Sequence, residues 1–316
     1  MSTLNWAIIG TGNIAGSMAE ALAHVPGARR YAVASRKADK SQAFAAQWGF
    51  DRAYGNYGQV YADPDVDIVY VATPNALHKK NILGALAAGK HVLCEKPMTL
   101  SADDSQQCFD AAAQSGLVLM EALWSAFFPA MQKAIELVSS GKIGTPRYLD
   151  ARFVSFRDPM SHPNLFDPAL GGGASQDLGI YPVAAALLLA GPVQSSSAQV
   201  VMGATGVDEM VAMSLTHEND AVSQIAFGFR AELPIAVRVV GDIGEIEIAE
   251  NFHHPQSVTL RTKDRERIFD LPSIGRGYAH EAIAFQNLIG GGLSSESLWP
   301  ASFTVQCQRI LQGLYS

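Results

Sequence analysis

The first 122 residues alternate between short apolar runs and amphipathic stretches. Helical patterns such as 14–24 and "NALHKKNILGALAAG" separate these runs, which are "WAIIG" (6–10), "RYAVAS" (30–35), "DIVYVAT" (67–73), "KHVLCE" (90–95) and "LVLMEA" (117–122). Near-continuous apolar strands separated by helices indicate a parallel sheet that is covered on both faces. We therefore predict an α/β fold whose N-terminal part is a doubly wound, Rossmann-type parallel sheet.

After residue 122 the pattern changes. An amphipathic helix in "AMQKAIELVSSGKIG" is followed by β-rich segments in which apolar and polar residues alternate, among them "MVAMSLTH", "AVSQIAFGFR", "IAVRVVG" and "GEIEIAE". Turn-like breaks at 218–220 and 241–244 indicate antiparallel pairing, and the alternation predicts one covered and one open face. We expect an α+β domain with a large, mostly antiparallel, open-faced sheet.

The length of 316 residues exceeds the roughly 250–300 residues at which a single core stops growing. We place the boundary at the change of pattern. Residues 1–122 would form the dinucleotide-binding domain, and residues 123–316 would form the domain for substrate binding and dimerisation.

Composition narrows the class of partner. The net charge of −7 argues against nucleic acid and against an anionic membrane, since both require a basic surface. Cys94, Cys108 and Cys307 are widely separated, so neither a disulfide framework nor a zinc site is supported, and we expect no metal. The sequence shows no signal-like start and no apolar run of membrane-spanning length. We expect a cytoplasmic protein that acts on a small molecule.

The segment "GTGNIAG" has the spacing of a dinucleotide fingerprint. Gly10 suits the tight turn, Gly12 allows close approach of a pyrophosphate, and Ala15 allows helix–strand packing. The amides of Asn13 and Ile14, at the start of the next helix, would face the pyrophosphate. The alternative is a tight turn that holds no ligand.

The end of the second strand bears on the choice of cofactor. NAD-binding chains usually place an acidic residue there, whereas this chain has Ser35, Arg36 and Lys37. Arg36 can form two bonds to a 2′-phosphate and Ser35 can donate one. NADP is therefore favoured, while use of NAD, or a basic pair that only solvates the next helix, stays open.

Four segments together resemble the Gfo/Idh/MocA oxidoreductase family: "GTGNIA", "VATPNALH", "AAGKHVLCEKP" and "GGGASQDLGIYP". With "LMEALWSAFFPA", they are most similar to the branch that holds dihydrodiol dehydrogenases, D-xylose dehydrogenases and glucose–fructose oxidoreductase. The resemblance implies that Lys96 lies beside the nicotinamide and the reacting carbinol and that Glu95 helps to fix the cofactor. It also implies a cofactor cleft that is lined by Thr73, Pro74, Asn75 and His78.

Three of the cleft residues also have a purely structural interpretation. Asn75 suits a helix cap, Pro74 suits a first helical turn, and His78 suits a solvent-facing position. The Lys96–Pro97 bond is a candidate for the cis isomer.

In "DLGIYP", Asp177 and Tyr181 stand four residues apart, about one helical turn. Either Asp177 caps a helix that begins near Leu178, or the helix is kinked at Pro182. A free tyrosine has a pKa of about 10, and a neighbouring ammonium such as Lys96 lowers it. Most of the family has histidine where Tyr181 stands, so the resemblance to the tyrosine branch implies that Tyr181, Lys96 and Asp177 are catalytic. A buried tyrosine and an aspartate cap are the alternative.

Family position further implies a substrate pocket that includes Trp124, Phe153 and Tyr278, with Arg152 and His162 as additional candidates and Phe252 or His253 at its edge. The alternative is that each of the three aromatic residues belongs to the core. Residues 156–173 are either a lid over this pocket or a long connection. By the same analogy, the open sheet face would be the interface of a homodimer or a higher homo-oligomer.

Together these features predict an NADP-dependent dehydrogenase of a sugar, polyol or cyclic diol. Two alternatives stay open. One is a non-catalytic sensor that binds NADP on the same fold, and the other is an NAD-dependent sugar or inositol dehydrogenase.

Overall fold

A computed structural model describes residues 3–248, 250–291 and 298–315. The chain divides into two compact units. The first unit comprises Met1–Thr99, Asp103–Ala122 and Ile274–Ala301, and the second comprises Leu100–Ala102, Leu123–Ser273 and Ser302–Ser316. The units differ from a single cut after residue 122 because 274–301 groups with the N-terminal part. The division into two functional domains stays a prediction.

The strands of the described residues are, in chain order, β1 (Leu4–Ile9), β2 (Ala28–Ala34), β3 (Arg52–Tyr54), β4 (Ile68–Val71), β5 (His91–Glu95), β6 (Leu119–Ala122), β7 (Pro146–Val154), β8 (Val193–Met202), β9 (Asp208–His217), β10 (Val222–Gly228), β11 (Ala236–Gly241), β12 (Gly244–Ile248), β13 (Ser257–Thr262) and β14 (Arg265–Asp270). The helices are α1 (Asn13–Ala21), α2 (Ala38–Trp48), α3 (Tyr57–Ala62), α4 (His78–Ala87), α5 (Ala102–Ser115), α6 (Pro129–Ser139), α7 (Ile180–Ala190), α8 (Tyr278–Ile289) and α9 (Ala301–Gln312).

The sheet of the first unit has the strand order β3-β2-β1-β4-β5-β6, and all its pairs are parallel. This confirms the predicted doubly wound sheet. Its central strands are buried almost throughout because helices cover both faces. In such a sheet, ligands bind outside the carboxyl ends of the strands, where the strand order reverses between β1 and β4.

The sheet of the second unit has eight strands in the order β14-β13-β12-β11-β7-β10-β9-β8. Only β7 and β10 pair in parallel among these described strands, so the prediction of a mostly antiparallel sheet is confirmed. Along β7, Leu149, Ala151 and Phe153 are buried, and the residues between them face the other side. Helix α7 packs on the buried face.

The breaks at 218–220 and 241–244 lie between the antiparallel pairs β9–β10 and β11–β12, as predicted. No strand was predicted for β3, β8, β13 or β14. Strand β8, "VQSSSAQVVM", is an edge strand with few buried positions, so its apolar residues show no regular alternation.

Among the helices of the described residues, none combines the length and the apolar character that crossing a bilayer requires.

Candidate active site

The turn between β1 and α1 has the backbone that a dinucleotide requires. Gly10 has φ +111°, and a Cβ added there would lie 2.3 Å from the carbonyl oxygen of Ala72, so only glycine fits. Gly12 is exposed, and an added Cβ would have no heavy atom of the described residues within 4 Å. Helix α1 begins at Asn13 without a side-chain cap and without an acidic residue in its first turn. An open space beside uncapped helix amides fits a pyrophosphate.

The residues after β2 are those on which the predicted choice of cofactor rests. Ser35 is buried, and its Oγ accepts a 3.4 Å hydrogen bond from the amide of Lys37. Arg36 and Lys37 are exposed, and α2 begins at the next residue. The charge of Arg36 acts on Tyr57, where it opposes the rise in pKa that burial causes. The predicted preference for NADP depends on this exposed cation.

The loop after β4 contains the predicted cleft residues. Pro74 precedes a short 3₁₀ turn at Asn75–Leu77, so Asn75 is the first residue of the turn and does not cap it. Thr73 is buried, and its hydroxyl accepts a 3.1 Å hydrogen bond from the side-chain amide of Asn81. Helix α4 then begins at His78.

His78 is fully buried, so the solvent-facing interpretation is wrong. Its Nδ1 lies 2.9 Å from the carbonyl oxygen of Pro97, and its Nε2 lies 2.7 Å from that of Thr73. Burial lowers the pKa of His78 below its usual 6.5, and the charge of Lys96 acts in the same direction. A neutral imidazole has one N–H, so the ring donates to one carbonyl at a time. His78 therefore links the loops after β4 and β5.

The turn after β5 is held by buried polar contacts. The Lys96–Pro97 bond is cis, and Lys96 is half-buried. The amide of Met98 donates a 2.8 Å bond to Oε1 of Glu121, whose Oε2 accepts a 3.0 Å bond from the indole of Trp299. Two N–H donors, one on each oxygen, suit a carboxylate anion. The turn that carries Lys96 is thus fixed on the following strand.

Glu95, at the end of β5, accepts a hydrogen bond from the hydroxyl of Tyr70. Burial raises the pKa of Glu95 to about 7, although the bond from Tyr70 and the charge of Lys96 oppose the rise. Burial also raises the pKa of Tyr70 well above 10, so Tyr70 stays a phenol and a donor. Glu95 is therefore a carboxyl group poised to change its charge near neutral pH.

In the second unit, Asp177 and Tyr181 lie on a single helical segment that changes its winding. A π-helical turn at Ser175–Gly179 runs into α7, so Asp177 lies within the turn and does not cap a helix at Leu178. Pro182 is the third residue of α7 and lies inside this continuous segment, where it has no N–H to donate to a carbonyl of the preceding π turn. A Cβ on Gly179 would lie 2.7 Å from the ring of Phe227, so the turn packs closely on β10. Single π turns occur often at functional sites.

The start of this turn is bound to Asp208, which is fully buried at the beginning of β9. Its carboxylate accepts bonds from the Ser175 amide at 2.7 Å, the Ser175 hydroxyl at 3.0 Å and the Tyr315 hydroxyl at 2.7 Å. Three donors on one buried carboxylate fix the backbone just before Asp177.

Tyr181 lies in a cluster of rings. The indole Nε1 of Trp124 donates a 3.2 Å bond to the Tyr181 hydroxyl oxygen. The ring centroid of Tyr181 is 5.5 Å from that of Phe153 and 5.6 Å from that of His253, and Phe153 and His253 are 4.5 Å apart. The ring centroid of His254 lies 5.8 Å from that of Trp124. The structure therefore brings Tyr181, Trp124, Phe153 and His253 together.

Arg152 and His162 are placed differently. Arg152 alternates with Phe153 along β7, so it faces the other side of the sheet, where its Nε lies 2.9 Å from Asp150. His162 is exposed in the loop at 156–173, with its Nδ1 3.4 Å from the carbonyl oxygen of Asp158. Tyr278, a buried residue of the first unit, begins α8.

Some residues near the predicted site were missed. Tyr70, Glu121 and Trp299 make the polar contacts around Glu95 and Lys96, and Glu281 of α8 is fully buried in the same unit. The sequence could have revealed Glu281, because it lies on the same helix face as Tyr278, Ala282 and Phe285. An acidic residue that interrupts an apolar helix face is a candidate for a buried acid.

The parallel sheet, its glycine turn and the lysine-bearing turn after β5 define a dinucleotide-binding oxidoreductase. Residues 4–123 match the Gfo/Idh/MocA oxidoreductase family, NAD-binding Rossmann fold, and residues 131–247 match the GFO/IDH/MocA C-terminal domain. The chain belongs to the Gfo/Idh/MocA oxidoreductase family.

Relatives and solved structures agree with this assignment. Trans-1,2-dihydrobenzene-1,2-diol dehydrogenase of Mus musculus is 32% identical over 97% of this chain and 88% of its own length, and that of Xenopus tropicalis is 30% identical over 98% and 90%. A 3-ketoreductase from Actinomadura kijaniata, in complex with NADP and TDP-benzene, has a TM-score of 0.88 at 26% identity and covers 99% of this chain and 97% of its own. Levoglucosan dehydrogenase with NADH and levoglucosan has the same fold, with a TM-score of 0.91 at 22% identity over 99% and 96%.

Proposed function

We propose that this chain is an NADP-dependent dehydrogenase that oxidises a carbinol of a sugar, a polyol or a cyclic diol. The observation that carries the proposal is the bond from the Trp124 indole to the Tyr181 hydroxyl oxygen. An indole N–H only donates, so it favours the form of Tyr181 with the more negative oxygen. A tyrosine held in this way is suited to take a proton from an alcohol.

When bound, the dinucleotide supplies the hydride acceptor. In the proposed mechanism, Tyr181 in its phenolate form takes the proton from the substrate hydroxyl and becomes a neutral phenol. The ammonium of Lys96 stabilises the negative charge that develops on the substrate oxygen and orients that oxygen. The carboxylate of Asp177 accepts a hydrogen bond from a neighbouring hydroxyl and fixes which carbinol reacts.

Two features support a cyclic substrate. The rings of Trp124, Phe153 and His253 around Tyr181 offer flat apolar surfaces, which suit the apolar face of a pyranose or a cyclohexadiene ring. The dihydrodiol dehydrogenases, related at 30–32% identity over nearly the whole chain, are named for a cyclic diol.

The choice of NADP rests on Arg36. An exposed guanidinium directly after β2 can form two charge-assisted bonds to a 2′-phosphate, and Ser35 beside it can donate a third.

The proposal also includes a homodimer that forms through the open face of the eight-stranded sheet. Tyr148 and Val222, which pair across β7 and β10, are 41% and 38% exposed. An exposed apolar pair at the centre of a wide sheet is a feature of association surfaces.

The test is a panel of aldoses, polyols and trans-dihydrodiols, assayed by NADPH absorbance with wild type, Tyr181→Phe and Lys96→Met. We expect turnover of at least one compound class and a loss of about 10²–10⁴-fold in kcat for Tyr181→Phe, the usual contribution of a positioned proton acceptor. NADP affinity measured by fluorescence serves as the control, and Tyr181→Phe should leave it unchanged. If all three proteins bind NADP and none turns over any compound, the chain is a sensor and the proposal is wrong.

A further inference from the structure

Glu281 is a buried acid that the proposed mechanism does not use. It lies in the first turn of α8 and has no exposed surface. Within the described residues, neither of its carboxylate oxygens has a hydrogen-bond partner. Its helix face also carries Ala282 and Phe285, and Phe285 packs edge-on against Trp6 at 6.0 Å.

An isolated carboxylate in such surroundings is among the costliest groups to bury, and proteins avoid the cost by keeping the group protonated. Glu121 shows the opposite arrangement in the same unit, because each of its oxygens accepts an N–H. The contrast between these two buried acids indicates a neutral Glu281 and an ionised Glu121.

Glu95 is the charged group that acts on Glu281. Its negative charge adds to the effect of burial and raises the pKa of Glu281 further. The charges of Glu95 and Glu281 also act on Tyr70, which donates its proton to Glu95. Two buried carboxyl groups that interact in this way do not both ionise at neutral pH. They titrate as a pair, in two separated steps.

We infer that Glu281 is a positioning residue that keeps its own proton and thereby leaves Glu95 as the ionised carboxyl of the pair, the one adjoining Lys96. At pH values above the pKa of Glu95, the pair then carries a single negative charge. This inference deepens the proposed function and rests on it for the role of Lys96. The protonation of Glu281 itself does not depend on that function.

Among the residues that the structure describes, the other charged groups around α8 do not provide a counter-ion for Glu281. Helix α1 packs against α8, and its acid, Glu20, is exposed. The turn that follows α1 contributes His24, which is also exposed. Lys96 adjoins Glu95 in the chain, and its charge acts on Glu95. The acidic and phenolic neighbours, Glu95, Tyr70 and Tyr278, add no positive charge.

The pH dependence of stability has a definite sign. At pH values below the pKa that Glu281 has in the unfolded chain, its carboxyl is protonated in both the folded and the unfolded state. Its ionisation therefore does not lower the free energy of unfolding there. As the pH rises, the unfolded chain releases this proton while the folded chain retains it, because burial raises the pKa of Glu281 well above its usual value. Wild type therefore loses stability relative to a Glu281→Gln variant as the pH rises.

The experiment uses the full chain without cofactor and needs no turnover. Infrared spectroscopy in D₂O at pH 7 should show a protonated-carboxyl band in wild type that Glu281→Gln removes. Thermal unfolding should give the smallest Tm difference between the two proteins near pH 4, about the unfolded pKa of a glutamate, and a Tm about 4 °C or more higher for Glu281→Gln at pH 8. Glu121→Gln is the matched control and should have a lower Tm than wild type at pH 8, because an amide replaces an acceptor that two donors need.

Two results would overturn the inference. One is an infrared spectrum in which Glu281→Gln removes no protonated-carboxyl band. The other is a Tm for Glu281→Gln that falls below that of wild type between pH 5 and pH 8. Should Glu281→Gln fail to fold, Glu281→Met decides the question. A site that holds a neutral acid without hydrogen bonds accepts an apolar side chain of similar volume, whereas removal of a buried anion would leave its partner without a counter-charge.

The link to Lys96 is tested by the pH profile of kcat/KM. Wild type should show two ionisation steps from the carboxyl pair, and Glu281→Gln should show one. A profile that Glu281→Gln leaves unchanged would refute the positioning role, even where the infrared result stands. If no substrate is found, the pH dependence of NADPH affinity, followed by fluorescence, serves as the same readout.

Discussion

The two units hold their predicted site residues in different ways. In the first unit, the key features are backbone atoms and buried charges, namely the turn at Gly10 and Gly12 and the polar contacts around Glu95. In the second unit, rings surround a single hydroxyl, that of Tyr181. Backbone geometry tolerates almost no substitution, whereas a ring packs acceptably in several orientations. We therefore expect cofactor binding to be sensitive to single changes and substrate selection to respond gradually.

The largest effect on cofactor affinity should come from Gly12→Val. Its side chain would occupy the open space beside the α1 amides, and we expect NADP affinity to fall by about 100-fold, as overpacking by up to roughly 3 kcal/mol implies. Isothermal titration calorimetry measures the loss.

Gly10→Ala is the contrasting variant, since an added Cβ would meet the Ala72 carbonyl oxygen at 2.3 Å in a left-handed backbone region. Thermal unfolding should show a clear loss of stability for Gly10→Ala and little change for Gly12→Val. Equal losses of stability would mean that both glycines serve the turn alone and that the space at Gly12 holds no ligand.

A smaller effect is expected for Arg36→Ala. Loss of a charge-assisted contact to a 2′-phosphate costs about 1.5–3 kcal/mol, so affinity for NADP should fall by roughly 10- to 100-fold while affinity for NAD changes little. Arg29→Ala is the matched control, because Arg29 is an exposed arginine at the start of the same strand and pairs with Asp51. Parallel losses for the two cofactors in Arg36→Ala would refute the assignment to NADP.

The smallest effect should be that of Trp124→Phe in the second unit. This change keeps a ring but removes the N–H that donates to Tyr181, a neutral hydrogen bond worth about 1 kcal/mol. We expect kcat/KM to fall by about fivefold with NADP affinity unchanged, measured by steady-state kinetics, while Trp48→Phe on α2 changes neither. A loss as large as that of Tyr181→Phe would show that the ring cluster is as intolerant as the glycine turn.

The fold was predictable wherever burial imposes a period on the sequence. The five apolar runs of the first unit became strands of the parallel sheet, and the alternating segments of the second became antiparallel strands. The short strand β3 and the edge strands β8 and β14 were missed because exposed strands need no regular apolar pattern.

The candidate site was predictable where a motif fixes the backbone. Gly10 and the residues of "EKP" follow from local sequence, whereas the burial of His78 depends on carbonyls at Thr73 and Pro97 that only the fold brings together. The π turn at Ser175–Gly179 was also beyond prediction, because Asp208, 33 residues away, holds its start. The roles of the individual site residues stay predictions.

The contact between Tyr315 and Asp208 bears on how the protein is handled in the laboratory. A purification tag fused after residue 316 would begin two positions beyond Tyr315, a side chain that helps to hold the segment carrying Asp177. Expression with the tag at the amino end, or with a cleavable carboxyl-terminal tag, is therefore the sounder choice for enzymology. A preparation that gains activity once a carboxyl-terminal tag is cleaved off would point to this contact as the cause.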